Sequence, residues 1–309
     1  MTRTTLLALS LLFAPTLAVA SAPKPSVASD EERALFAYDR AAPLDLKTER
    51  LSVEDGVEVY EMSFASPKGG RATGRILVPQ REGKKAGIVM MHGAPGSAAQ
   101  LHPRALPFAR RGAVVVSVDA PFARRNASAV TFTAADRADQ VQLIVDLQRA
   151  VDLLLARPDV DPARIAFVGG SYGGAVGALF AGVDARPATY ILYVADGGFV
   201  SHFTSLDGTP QGPLAELSPE ERESWIATLG PVGGMNWVGR ARSGSILFQN
   251  GREDPLVPPA KAEALHRAAG SSHTVRWYES GHKLPDQAWQ DMFRWLHERV
   301  GTDAPATRG

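Results

Sequence analysis

The sequence predicts an α/β fold on a mainly parallel, doubly wound sheet with an antiparallel hairpin ahead of it. Three observations predict it. Short continuous apolar runs recur at 86–91, 113–118, 165–168, 190–195 and 245–248 without polar alternation, as expected of strands buried on both faces, and 274–278 reads as a final strand. Stretches with apolar residues at helical spacing lie between several of them. Two β-rich runs, 57–65 and 71–78, precede them and flank the turn-forming Ser66-Pro67-Lys68-Gly69-Gly70. Strands alternating with helices give a parallel sheet with right-handed crossovers.

In chain order, residues 1–20 read as a signal peptide. Arg3 supplies a positive start, 6–17 are mostly apolar, and Ala18-Val19-Ala20 is a small-x-small cleavage site. Cleavage is expected after Ala20, because Pro23 would follow Ala22 closely. The apolar run is too short to span a bilayer, and no later segment is long enough. The expectation is a secreted or periplasmic protein with no membrane span after cleavage. Residues 21–48 read as a lead-in carrying a short helix over 30–40, capped by Ser29 or Asp30. Residues 49–301 then form one domain. A helix over 136–157 gathers Val141, Ile144, Val145, Leu147, Val151, Leu154 and Leu155 on a broad face and stops at Pro158. Shorter helices are expected over 261–269 and 286–300. The interval 197–240 breaks the rhythm, with one helix over 219–229 capped by Ser218 and several scattered aromatics. It reads either as a small lid over a site or as a surface connection.

Composition narrows the function. The 309 residues carry 45% hydrophobic and 21% charged side chains, enough for a sizeable core. Net charge is zero, with no basic stripe for nucleic acid. There is no cysteine, which excludes disulfides and thiolate metal sites. The histidines show no metal-ligand spacing, so neither metal nor cofactor is expected.

The chemistry centres on Gly169-Gly170-Ser171-Tyr172-Gly173, between an apolar strand run and a small-residue helix. A serine at such a turn stands above the sheet edge with its hydroxyl exposed. A hydroxyl nucleophile needs a base, and His282 follows the last strand run in Glu279-Ser280-Gly281-His282. The base needs a carboxylate to hold its tautomer. Asp254, in the loop after 245–248, fits best; Glu253 beside it points elsewhere, and Asp196, after 190–195, is the rival. Backbone N–H groups of Tyr172 and of Ala94, in His92-Gly93-Ala94-Pro95-Gly96, are the expected oxyanion donors, since Pro95 has none. His92 braces that loop. Phe122 and Phe199 are candidates for lining a substrate pocket.

The order Ser171, Asp254, His282, with a His-Gly loop after an earlier strand, resembles the α/β-hydrolase superfamily over nearly the whole mature chain. Asp159-Val160-Asp161-Pro162-Ala163-Arg164-Ile165 and residues 251–258 resemble its dienelactone-hydrolase-like and prolyl-oligopeptidase-like branch. Dienelactone hydrolases proper use a cysteine nucleophile, which is absent here, so the resemblance implies a serine esterase acting on a small-molecule ester through an acyl-enzyme. A peptidase or acyltransferase of the same fold is the alternative, and a non-catalytic binding module ranks last. Activity is expected to rise with pH as the histidine base loses its proton. Oligomeric state has no signature in the sequence.

Overall fold

The computed structural model describes residues 29–270 and 273–305. The expected signal peptide and residues 21–28 of the lead-in lie outside the described residues. The described strands form one nine-stranded sheet: β1 (Lys47–Glu54), β2 (Val57–Ala65), β3 (Arg71–Pro79), β4 (Lys85–Met91), β5 (Ala113–Val118), β6 (Val160–Gly170), β7 (Thr189–Tyr193), β8 (Ile246–Gly251) and β9 (His273–Tyr278). Their spatial order is β1-β2-β3-β5-β4-β6-β7-β8-β9. The first three run antiparallel to their neighbours, and every pair from β5 to β9 is parallel. Burial explains the difference in sequence pattern. β2 alternates buried and half-buried residues, whereas β4, β5 and β8 are buried throughout.

Helices cover both faces. The Ala135–Leu155 and Tyr172–Val183 helices pack on one, with Leu147, Val151, Phe167 and Phe180 in a shared core. The Ala98–Arg110 and Asp286–Val300 helices cover the other through Leu101, Phe108, Met292 and Leu296.

The structure departs from the sequence expectation at three places. The first helix spans only Asp30–Ala34, held by a reciprocal capping box between Ser29 and Glu32. β1 had no sequence signal because it is an edge strand of mostly exposed, charged residues, ordered by its pairing with β2. The Ala98–Arg110 helix contains Pro103 and Pro107, which oppose helix in an isolated chain. It forms because Ser97 caps it, Asp119 accepts the Ala98 N–H at 2.7 Å, and its apolar face is buried.

Candidate active site

β6 delivers Ser171 to the carboxyl edge of the sheet. Ser171 has φ 54° and ψ −125°, a region that non-glycine residues occupy only under strain of about 1–3 kcal/mol. The surroundings enforce it. The Ser171 N–H donates to the Tyr193 carbonyl at 2.9 Å, and the Ser171 carbonyl accepts from Gly174 and Ala175 as the next helix begins. The flanking glycines are a steric requirement. A Cβ on Gly169 would lie 2.2 Å from the Gly173 carbonyl oxygen, and one on Gly173 would lie 2.4 Å from that of Met91.

β8 and β9 deliver the acid and the base. Asp254 is almost wholly buried, and its Oδ1 accepts the Leu256 and Val257 N–H groups at 2.9 and 3.0 Å. Its Oδ2 lies 2.8 Å from His282 Nδ1. A carboxylate there accepts a hydrogen bond from Nδ1–H, which keeps the proton on Nδ1 and leaves Nε2 free to accept one. The two loops pack backbone to backbone: Glu253 N–H donates to Ser280 at 3.0 Å, and a Cβ on Gly251 would meet that same carbonyl oxygen at 2.2 Å. Glu253 itself is exposed. Asp254 and His282 are thus brought together. Among the described residues no hydrogen bond joins His282 to the Ser171 hydroxyl. The three share one edge because β6, β7, β8 and β9 are successive parallel neighbours. Catalytic hydrogen bonds of this kind commonly tighten only around substrate.

The rival acid has another partner. Asp196 Oδ2 lies 2.9 Å from His202 Nδ1, and its Oδ1 accepts the Gly198 N–H at 3.0 Å. The sequence carried no sign of this second pair, because His202 sits in the non-periodic interval.

The loop after β4 approaches from the other side. His92 is buried, which lowers its pKa and keeps the ring neutral. Its Nε2 accepts the Ala120 N–H at 3.0 Å, so Nδ1 carries the proton and donates to the Gly93 carbonyl at 2.7 Å. His92 therefore braces the loop. Ala94 borders the same cavity as Ser171, and Tyr172 occupies the first turn of its helix, where N–H groups lack intrahelical acceptors. Neither N–H has a backbone acceptor among the described residues. The Tyr172 hydroxyl accepts from Gln140 at 3.0 Å, and its ring stacks on Phe199 with centroids 5.3 Å apart.

A cavity of about 320 Å³ opens at Ser171. Phe199 lines it, as the sequence suggested. Phe122 does not: it is buried behind the wall, edge-on to His92 and Tyr172 at 5.7 and 5.6 Å, because its helix follows β5 and turns the ring into the core. Residues 197–240 supply a wall through Phe199, Phe203, Leu229 and Val232. That interval has a small core of its own, Leu214, Trp225 and Leu229, fixed to the domain by a 2.8 Å bond from Trp225 Nε1 to the buried Asp136. Among the described residues no helix is long and apolar enough to cross a membrane, and no group of three His, Asp or Glu side chains is placed to hold a metal.

A family model described as acetyl xylan esterase (AXE1) matches residues 39–299. Among solved structures, the chain is similar to an acetyl xylan esterase from Paenibacillus sp. R4, with 23% identity over 88% of this chain and 93% of that one, at a TM-score of 0.72. It is also similar to acetyl xylan esterase 1 from Thermoanaerobacterium sp. JW/SL YS485, with 19% identity over 87% and 92% of the two chains and a TM-score of 0.66. A puromycin-hydrolyzing peptidase from Mycobacterium tuberculosis shares the fold at 17% identity and a TM-score of 0.57, over 85% of this chain and 40% of that one. The fold is that of the α/β-hydrolases.

Proposed function

The chain belongs to the acetyl xylan esterase family and is a carboxylic-ester hydrolase, and on that premise we propose an exported serine enzyme that cleaves small-molecule esters through an acyl-enzyme. The observation that carries this reading is the buried Asp254 carboxylate holding His282 at 2.8 Å, on the edge where a strained turn presents Ser171.

Ser171 Oγ attacks the ester carbonyl carbon while His282 Nε2 takes the hydroxyl proton. Asp254 stabilises the imidazolium so formed. The carbonyl oxygen becomes an oxyanion held by the N–H groups of Ala94 and Tyr172, each donor contributing about 3–4 kcal/mol at the transition state. Collapse breaks the bond between the carbonyl carbon and the alcohol oxygen, and His282 returns its proton to the departing alkoxide. Water, deprotonated by His282, then attacks the acyl-serine; the acid leaves and Ser171 regains its proton.

Ser171→Ala should lower kcat for p-nitrophenyl acetate at least about a thousandfold, and a fluorophosphonate probe should label wild-type Ser171. Full turnover by the variant would remove the proposal, and a preference for dipeptidyl amides over esters would replace it with a peptidase. Export rests on Arg3, the apolar 6–17 run and Ala18-Val19-Ala20. N-terminal sequencing of protein made in its host should begin at Ser21.

A further inference from the structure

The cavity at Ser171 is much larger than the smallest acyl group an esterase must hold. A methyl group, about the size of a water molecule at ~30 Å³, would leave about nine-tenths of its 320 Å³ empty. We infer that this cavity is an acyl pocket for an unbranched apolar chain of about six to eight carbons. The inference rests on the ester-hydrolase reading and adds the identity of the acyl group.

Three observations carry it. The cavity begins at the reacting centre, since Ser171, Ala94 and Tyr172 all border it. Its wall then combines Val176 and Leu179, from the helix that Ser171 starts, with Leu229 and Val232 from the 197–240 interval. Finally, its wall is mostly apolar, and two polar side chains in it already have partners: Gln140 donates to Tyr172, and Asp196 pairs with His202. Apolar contact is the main gain open to an occupant.

The occupant is the acyl group and not the alcohol because of what adjoins the cavity. Past His202 and Leu256, which border both spaces, lies a wider groove of about 670 Å³ where Asp207, Gln211 and Lys261 stand among apolar residues such as Leu206 and Pro258. In an acyl-enzyme reaction the alcohol departs first and needs an open path, whereas the acyl carbon stays on Ser171. The wider, more open groove suits the first, and the narrower, more apolar cavity the second.

The test holds the alcohol constant and varies the acid: p-nitrophenyl acetate, butyrate, hexanoate, octanoate and dodecanoate. kcat/KM should rise about two- to fourfold per added methylene up to hexanoate or octanoate, then fall. Val176→Phe, and Leu229→Trp from the 197–240 interval, should each lower the octanoate-to-acetate ratio at least tenfold. Free octanoate should inhibit wild type more tightly than free acetate. The acyl pocket is overturned if Ser171-dependent hydrolysis falls steadily from acetate onward, an outcome that leaves the esterase reading intact. It is also overturned if acetate esters of longer alcohols show the chain-length optimum instead. Absence of Ser171-dependent hydrolysis for every ester would sink both readings.

Discussion

Two aspartate–histidine pairs stand at the carboxyl edge of the sheet, and they are built in opposite ways. Asp254 and His282 are 28 residues apart and meet because adjacent parallel strands, β8 and β9, end side by side. Asp196 and His202 are 6 residues apart and meet within one turn of chain that opens the insertion. Their hydrogen bonds are alike, 2.8 and 2.9 Å. Their settings are not. Asp254 takes two backbone N–H groups where Asp196 takes one, and the His282 side chain is 27% exposed against 42% for His202. A pair fixed by the sheet holds its geometry as rigidly as the core beneath it. A pair fixed by a short insertion helix moves with that insertion. Hydrogen-bond length alone therefore does not identify a catalytic dyad; the element that carries each partner does.

The sharpest way to break this comparison is to neutralise each acid in turn. Asp254→Asn should lower kcat for an acetate ester by about 10³–10⁴-fold, because an amide permits the wrong imidazole tautomer and cannot stabilise its charge. That is about 4–5 kcal/mol of transition-state stabilisation. Asp196→Asn should cost less than about tenfold, since Asn retains an acceptor for Gly198. Kinetics that ranked the two variants the other way would make Asp196–His202 the working dyad.

The site was partly legible in the chain. Ser171 and Asp254 each follow an apolar run that is buried on both faces, and His282 follows a half-buried edge strand, so a strand-end residue could be read from a short window. The sharp turn was legible as a glycine pattern: Gly169 is demanded by the Gly173 carbonyl four residues on, although Gly173 is demanded by Met91 on the distant β4. The cavity was not legible. Val176 and Leu179 look like ordinary core on a helix, while Leu229 and Val232 come from a segment without periodicity. Their convergence is a property of tertiary packing. β1 and the proline-bearing Ala98–Arg110 helix were hidden likewise, since pairing and burial override their local preference.

A second measurement probes the ground between the two pairs. Asn250, at the end of β8, accepts the Ala195 N–H at 3.2 Å and donates to His266 Nε2 at 2.9 Å, joining the strand that leads to Asp196 with the helix that follows Asp254. His266 is buried, and that burial chiefly, helped by nearby His273 and Arg267, pushes its pKa down from 6.5 to about 4. The folded state therefore binds its proton less readily than the unfolded chain does. The stabilisation is complete above pH 6.5 and is lost as pH falls toward 4, amounting to about 3 kcal/mol. Urea unfolding at stepped pH should show wild type losing up to that much more than His266→Gln across the window. Parallel curves for the two proteins would mean that the Asn250 bridge tolerates the charged ring.

The smallest effect concerns how firmly the insertion, and with it the second pair, is held. Trp225 packs against Phe132 and Phe203 while its indole N–H donates to Asp136, whose other oxygen accepts from Thr131. Trp225→Phe keeps the aromatic contact and removes the donor, leaving one oxygen of a buried carboxylate without its partner. Such a loss costs about 1–3 kcal/mol. Because the sheet does not depend on this bond, the cost should fall on the insertion. Amide exchange should quicken within 199–229 and stay unchanged in β4, while turnover of acetate esters falls far less than in Asp254→Asn. Octanoate esters should suffer more than acetate esters, since Leu229 and Val232 would then be held less firmly against Val176. Uniform quickening of exchange through β4 and β8 would instead make the insertion an integral part of the sheet's cooperative unit, and the contrast between a sheet-held pair and an insertion-held pair would collapse.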